Sequence, residues 1–397
     1  MIDDKKQKVR LGIIYNSFPG WVAFANYISN LIFALKNLDN PPEIIILKNK
    51  NVEIDSSIKF YDQIIIIPEK SGGFNFLPHV IKKFIEYIRR QSEPHLIDWL
   101  CSRNNIDVVF SHSKCKPNRK HCIPWITWIP DFQHNHFPNY FNIEEITDRN
   151  RGYKTAIQYS DCIIVSSQSV YNDLVTFFPK GQKKCKVVPF VSQIDNNTYI
   201  PEVDLICEKY NLPQKYFYLP NQFWIHKNHK LVIDALSHIH KTHPEITVVC
   251  SGNTNDYRNN SYFSRLLLEI SMKDLRNNFI VLGLVPRDDV FQLMRQSCAV
   301  LQPSLFEGWS TTVEEAKSLG KRLLLSDIPV HREQNPLNAI FFNSTSKGDL
   351  ANKMIKTFQE TTAGPDQVLE KKAQENLHHR TENYGLNFMN AIYGIQK

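Results

Sequence analysis

Two carboxylates with seven residues between them carry the clearest chemical potential in this sequence. They lie in Leu301-Gln302-Pro303-Ser304-Leu305-Phe306-Glu307-Gly308-Trp309-Ser310-Thr311-Thr312-Val313-Glu314-Glu315-Ala316. An apolar strand runs into a turn holding Glu307 and Gly308, and Ser310, Thr311 or Thr312 then opens a helix. The start of such a helix offers unpaired N–H groups and a positive dipole end, which suit an anionic or oxygen-rich ligand. Gly308 allows the backbone to come close. Glu307 hangs over the ligand from the loop, and Glu315, one turn into the helix, can accept both hydroxyls of a vicinal diol. Glu314 fits the ordinary preference for acid in a first helical turn. On spacing alone, an acidic helix start without function explains the pattern about as well.

A second group of residues could hold negative charge. Pro220-Asn221-Gln222-Phe223-Trp224-Ile225-His226-Lys227-Asn228-His229 follows another apolar run. Lys227 brings a cation there, and Gln222 can donate hydrogen bonds but brings no charge. His226 and His229 are read either as surface residues flanking a turn or as further positive charge beside a helix start near Lys230. In the first half, Trp128-Ile129-Pro130-Asp131-Phe132-Gln133-His134-Asn135-His136-Phe137-Pro138 places Asp131, His134 and His136 just after a strand. The pair His134 and His136, or the set His112, Cys115, His121 and Cys122, could ligate a metal, but neither has the spacing of a structural zinc site. No metal is expected.

These groups need strands and helices to position them. Short apolar runs alternate with helical patterns through both halves, the sign of parallel sheets wrapped by helices. Strands are expected at 9–15, 44–47, 64–67, 108–110, 125–128, 162–166 and 186–189, with a helix from 21 to about 38 and helical patterns at 80–90 and 157–159. The pattern restarts with strands at 216–219, 246–251, 279–282, 299–302 and 322–326 and helices at 230–240, 265–273, 288–296 and 312–319. The economical fold is α/β: two Rossmann-like doubly wound domains, 1–195 and 205–375, joined near 190–205. In such sheets ligands sit outside the carboxyl ends of the strands, here facing a cleft.

The glutamate pair, preceded by Pro303-Ser304 and followed by Ala316 and Gly320, resembles the Glu-x7-Glu motif of retaining glycosyltransferases of the GT-B fold, family 4. Ser326-Asp327-Ile328-Pro329 with Glu333, and Gly283-Leu284-Val285-Pro286 upstream, also match that family. The similarity is strongest from about 215 to 335. It implies that Glu315 holds the donor ribose hydroxyls and that Glu307 contacts the donor sugar. It further implies that Gly308 and the amides of Trp309, Ser310, Thr311 and Thr312 approach sugar and phosphate, and that the loop with Val285 lies beside the base. The family usually sets an Arg and a Lys five residues apart on the donor diphosphate. Lys227 matches the Lys, but Gln222 stands where Arg is usual, so the diphosphate grip departs from the pattern and His226 is a candidate substitute.

The resemblance also places the acceptor in the first half. Asp131, His134 or His136 would lie near the reacting carbon, and the turn Asn16 to Trp21, with Gly20 and Trp21, would approach phosphate or acceptor. A helix within 380–397, about Leu386 to Tyr393, would return to the first domain. The implied activity is transfer of a hexosyl unit from a nucleotide-diphosphate-sugar donor to a glycan or lipid-linked acceptor, as in polysaccharide biosynthesis. Configuration would be retained, and no metal and no cofactor would be needed. A nucleotide-sugar epimerase, an inverting transferase, or a non-catalytic nucleotide- or carbohydrate-binding relative are the competing readings. The intact Glu307, Lys227 and Glu315 disfavour them.

Composition is ordinary for a soluble globular protein: 42% of the 397 residues are apolar and 22% charged. The formal charge of +7 suits polyphosphate substrates or an anionic membrane surface. No zinc-finger spacing, RNA-binding signature or basic arm points to nucleic acid. The eight scattered cysteines suit free thiols in a reducing compartment, and no apolar segment follows Met1 to Lys6, so a cytoplasmic location is expected. The amphipathic, basic stretch Val80 to Arg90 reads first as a solvated helix over a core stripe. A sharper reading makes it a peripheral contact with the inner face of the membrane.

Overall fold

A computed structural model describes residues 8–16, 22–68, 96–199 and 204–395. Gly20, Trp21, the loop Lys70 to Pro78 and the stretch Val80 to Arg90 lie outside the described residues. The chain divides into two compact units. Unit 1 comprises Met1–Asp131, Glu144–Phe190 and Arg380–Lys397; unit 2 comprises Phe132–Ile143 and Val191–His379.

The strands of unit 1 are β1 (Arg10–Ile14), β2 (Glu43–Asn49), β3 (Gln63–Ile67), β4 (Val108–His112), β5 (Trp125–Trp128), β6 (Cys162–Val165) and β7 (Cys185–Val187). They form a parallel sheet in the order β3-β2-β1-β4-β5-β6-β7, with Leu11 paired to Ile44 on one side and Val108 on the other. Central strands of this kind are covered on both faces, which explains their unbroken apolar runs. Along the helix Val22–Lys36, Tyr27 stacks on Trp128 with ring centroids 3.8 Å apart. The helix Gln367–Tyr393 gives its residues from Arg380 onward to unit 1. There Phe388 meets Phe110 edge to face, and Gly385 lies so close to Ala34 that a Cβ would stand 2.7 Å from its carbonyl oxygen.

Unit 2 holds β8 (Phe217–Pro220), β9 (Val248–Ser251), β10 (Phe279–Val281), β11 (Ala299–Gln302), β12 (Leu323–Ser326) and β13 (Ala339–Phe342). All pairings are parallel, in the order β10-β9-β8-β11-β12-β13. Alternate residues feed two cores, one on each face. Phe217, Leu219, Val248, Cys250 and Leu301 enter one, and Tyr218, Val249, Val300, Leu323 and Leu325 enter the other. The sheet thus reverses its winding between β8 and β11. Outside the carboxyl ends of these two strands lies the switch point where such sheets bind ligands.

Several elements go beyond the sequence pattern. The helix read only at 157–159 spans Ile143–Tyr159; its first turns are polar and hold few apolar positions to mark a period. The same polarity hides the first half of Gln367–Tyr393, whereas Lys347–Glu360 carries a helical apolar face in Leu350, Ala351, Met354, Ile355 and Phe358. The cysteines form no disulfide, and Cys101, Cys162, Cys185, Cys207, Cys250 and Cys298 are buried. No described helix is long and apolar enough to cross a membrane.

Candidate active site

The switch point of unit 2 gathers most of the residues singled out above. Asn221, just past β8, donates through Nδ2 to Gln302 Oε1 at the end of β11 (2.5 Å), tying the two strands across the reversal. Gln302 Nε2 in turn donates to Glu307 Oε1 and to Ser310 Oγ, both at 2.9 Å. Glu307 Oε1 also accepts from Ser304 Oγ and from Lys227 Nζ, each at 2.6 Å. One carboxylate oxygen therefore takes three donors, and Oε2 takes none among the described residues. The Lys227–Glu307 ion pair is largely enclosed, with 15% and 9% of the side chains exposed. Glu307 does not simply hang over a ligand; it is locked to the cation expected on the diphosphate.

Glu315 is in the opposite situation. It lies on the helix Thr311–Ser318, with 4% of its side chain exposed. Arg287 NH2 approaches Oε1 to 2.6 Å, yet off the hydrogen-bonding axis, so this buried oxygen receives no hydrogen bond. Arg287 pairs with its charge, and an oxygen that takes no hydrogen bond from the protein can still accept one from a ligand. Arg287 opens its own helix, Arg287–Gln296, directly after the loop Gly283 to Pro286, and its guanidinium lies 4.4 Å over the Phe291 ring. Val285 is half-buried in that loop, where Gly283 adopts φ 71° and its carbonyl accepts from the Gly252 amide (2.8 Å).

The helix start is partly occupied by the protein itself. The Ser310 amide donates to Gln334 Oε1 (3.3 Å), and Thr312 Oγ1 donates to the Pro220 carbonyl (3.4 Å). The amides of Thr311, Thr312 and Val313 in the first turn have no intrahelical acceptor, and the Glu314 amide is the first to donate back, to the Ser310 carbonyl (3.1 Å). Glu314 stands in the first helical turn, as its type suggests, but is buried there. It is 1% exposed and accepts from Gln334 Nε2 (3.1 Å) and Lys317 Nζ (3.2 Å). Glu333, which carried part of the resemblance, is exposed, and Gln334 beside it is the residue turned inward.

His226 and His229 are buried, which corrects the surface reading of both. Burial, reinforced by Lys227, pushes the His226 pKa well below the ordinary histidine value. Burial lowers His229 to about 3, and its ring stacks on Phe223 at 4.2 Å. Both are neutral at physiological pH, so neither replaces the missing positive charge at Gln222. Gln222 is half-buried, and its Oε1 has no hydrogen-bond partner. Behind the loop, burial lowers His331 to about 4 against the pull of Glu307, and its Nδ1 bonds the Ser326 carbonyl (2.9 Å).

The first-half candidates separate. Asp131 belongs to unit 1, 4.0 Å from Arg149. His134 and His136 belong to unit 2: His134 is buried with its ring edge-on to Phe141 (6.3 Å), and His136 is exposed with its ring 5.2 Å from Phe306. His112 is packed between Phe24 and Trp128, and His121 contacts Asp98 at 3.1 Å. Sequence reasoning assigned no role to Asn221, Gln302, Ser304, Arg287 or Gln334. A usable signal existed for two of them: Asn221 and Gln302 are amides at the ends of otherwise apolar strands.

Comparison with known proteins bears on this geometry. The family model described as glycosyl transferases group 1 matches residues 207–386. An uncharacterized glycosyltransferase of Methanocaldococcus jannaschii is 25% identical over 177 residues, 44% of this chain and only 42% of the relative's length. A glycosyltransferase from Rickettsia africae has a similar crystal structure, with TM-score 0.65 and 18% identity, over 98% of this chain and 99% of that one. Anabaena HepE in complex with UDP gives TM-score 0.66 and 16% identity, over 97% and 100%. At these identities the structural likeness speaks to fold, and the fold is GT-B: two parallel-sheet, Rossmann-like α/β domains. Residues 207–386, the part of the chain that the glycosyl transferases group 1 model matches, supply the switch point with Asn221, Lys227, Glu307 and Glu315.

Proposed function

We propose that the chain is a glycosyltransferase that uses a nucleotide-diphosphate-sugar donor bound at the unit 2 switch point. The observation that carries this reading is the buried Glu315, ion-paired with Arg287 yet taking no hydrogen bond at Oε1, one turn inside a helix whose start is bonded to the ends of β8 and β11 through Thr312 and Ser310. A ribose diol supplies two O–H donors in the arrangement a carboxylate accepts. Arg287 would share or yield this contact when the diol arrives. HepE, a structural neighbour, has been crystallised with UDP and with UDP-glucose, which supports a donor of this class.

In the proposed reaction the bond between sugar and diphosphate breaks and negative charge grows on the departing phosphate oxygen. Lys227 and the free amides at the start of Thr311–Ser318 receive that charge. Lys227 is held 2.6 Å from Glu307 in the protein, and the diphosphate competes with Glu307 for it. Glu307 Oε2 then faces the donor sugar. Retention of configuration, a hexosyl donor and a glycan or lipid-linked acceptor follow from the resemblance to family 4. The scheme assigns the leaving-group charge to Lys227 and backbone N–H groups, so turnover should persist in excess EDTA, and loss of turnover would refute that assignment.

Incubation with a panel of uridine, guanosine and adenosine diphosphate sugars, following nucleoside diphosphate release, tests the proposal. Release with at least one donor, strongly reduced in Glu315→Ala, is expected. Neither binding nor release across the panel would sink the transferase reading. Binding without release, for any acceptor supplied, would favour the non-catalytic alternative.

A further inference from the structure

Phe132–Ile143 follows β5 in the first half of the chain, yet it is part of unit 2. Among its contacts there are two with residues far along the chain. In one, Phe306, the residue before Glu307, packs edge to face on Phe137 (ring centroids 6.1 Å) and tilted on His136 (5.2 Å). In the other, Arg258, from the loop between β9 and the helix Tyr262–Met272, reaches the segment directly. Its Nε and NH2 donate to Asp256 Oδ1 (2.9 Å) and Oδ2 (3.2 Å), and NH1 donates to Gln133 Oε1 (3.2 Å). Its Cζ lies 4.7 Å over the Trp224 ring and 5.3 Å over the Phe141 ring.

This arrangement decides what the guanidinium can do. The missing cation at Gln222 makes Arg258 an obvious substitute on the diphosphate, because Trp224 stands three residues before Lys227. But the side chain is 6% exposed and its charge is matched by the Asp256 carboxylate, itself 1% exposed. The rigid fork of donors is spent on Asp256 and Gln133, and aromatic rings lie against it. Arg258 is therefore built as a fastener. It joins the Trp224 end of the Lys227 loop to Gln133 and Phe141, the residues that bracket His134 and His136.

We propose that Arg258 is a positioning residue for glycosyl transfer, holding the segment with His134 and His136 in register with the loops that carry Lys227 and Glu307. The proposal rests on the transferase reading of unit 2. Because Arg258 spends its donors on the protein, its replacement should reduce kcat and leave donor affinity in place. Lys keeps the charge but cannot hold Asp256 and Gln133 together, so Arg258→Lys should behave like Arg258→Ala.

The test uses full-length wild type, Arg258→Lys, the milder Gln133→Ala, and the double variant. Hydrogen exchange needs no turnover. Amides of 132–143 should exchange at least about tenfold faster in Arg258→Lys, while those of β8 and β11 stay as in wild type. In donor turnover, kcat should fall by about tenfold or more with donor KM within about twofold, because small misplacement of reacting groups is costly. Gln133→Ala should fall in the same direction, and the double variant by less than the product of the singles. Unchanged exchange over 132–143 would overturn the proposal. So would a loss of nucleoside diphosphate affinity at unchanged kcat, which would make Arg258 a phosphate ligand. If wild type turns over no donor, the transferase reading fails, and the exchange result still decides whether Arg258 fastens the segment.

Discussion

At the scale of single residues, Glu314 and Glu315 are neighbours in sequence with opposite roles. Glu314 is satisfied by Gln334 and Lys317, whereas Glu315 Oε1 is buried with no hydrogen bond. Glu314→Ala should therefore destabilise the fold by about 1–3 kcal/mol, since it leaves buried donors unmatched. Glu315→Ala should cost less stability and more nucleotide affinity. Denaturant midpoints and nucleotide titration of the two variants check this; the reverse ordering would contradict it. Lys227→Gln should lower kcat by about 10²–10³-fold, the usual scale for losing one charge-stabilising group. Single-turnover rates give that number directly, and a Lys227→Gln enzyme as fast as wild type would remove Lys227 from the chemistry. The gathering of Lys227 with Glu307 at one site was legible in the sequence. The burial of Glu314, His226 and His229 was not, because acid at a helix start and histidine beside a turn are usually solvent-facing, and only tertiary packing reverses that.

At the scale of elements, the site depends on how closely the strand ends approach. Gly252, at φ 145° after β9, lies so near the end of β8 that a Cβ would stand 2.3 Å from the Asn221 carbonyl oxygen. Gly252→Ala must push the Asn221 backbone away, breaking the Asn221–Gln302 link that supports Glu307. A lowered Tm together with weakened nucleotide binding is expected; a variant with wild-type Tm and affinity would show that this approach does not matter. The strands themselves were legible, since both their faces are buried and their apolar runs are continuous. The strand β13 and the helices Ile143–Tyr159 and Lys347–Glu360 were less so. Ile143–Tyr159 opens with polar turns that mark no period, β13 is only a four-residue apolar run at the sheet edge, and Lys347–Glu360 does carry a helical face in Leu350, Ala351, Met354, Ile355 and Phe358.

At the scale of the whole molecule, the buried histidines give the fold a defined response to acid. Burial holds His229 at about 3 and His331 at about 4, and places His226 and His112 well below the ordinary value of 6.5. Below pH 6.5 the unfolded chain binds protons that the folded chain refuses. The stability these groups contribute is therefore complete above pH 6.5 and is lost as pH falls from there toward the folded-state values. Each contributes a slope of at most about 1.4 kcal/mol per pH unit. Urea midpoints should drop between pH 7 and pH 5, and His229→Gln should flatten that drop; equal slopes for wild type and variant would contradict it. The two-unit α/β organisation was legible from the restarting strand and helix pattern. The membership of Phe132–Ile143 in unit 2 was not, because its contacts there include Arg258 and Phe306, more than a hundred residues away in sequence.

The central claim is that Glu315 clamps a ribose diol. Its most direct test is a binding cycle with the best-binding nucleoside diphosphate of the panel and its 2′,3′-dideoxy analogue, on wild type and Glu315→Ala. Wild type should lose about 1.5–3 kcal/mol of affinity on removal of the diol, as expected for hydrogen bonds to a charged group, and Glu315→Ala should bind both ligands alike. An equal loss of affinity in both proteins would mean that Glu315 does not hold the ribose.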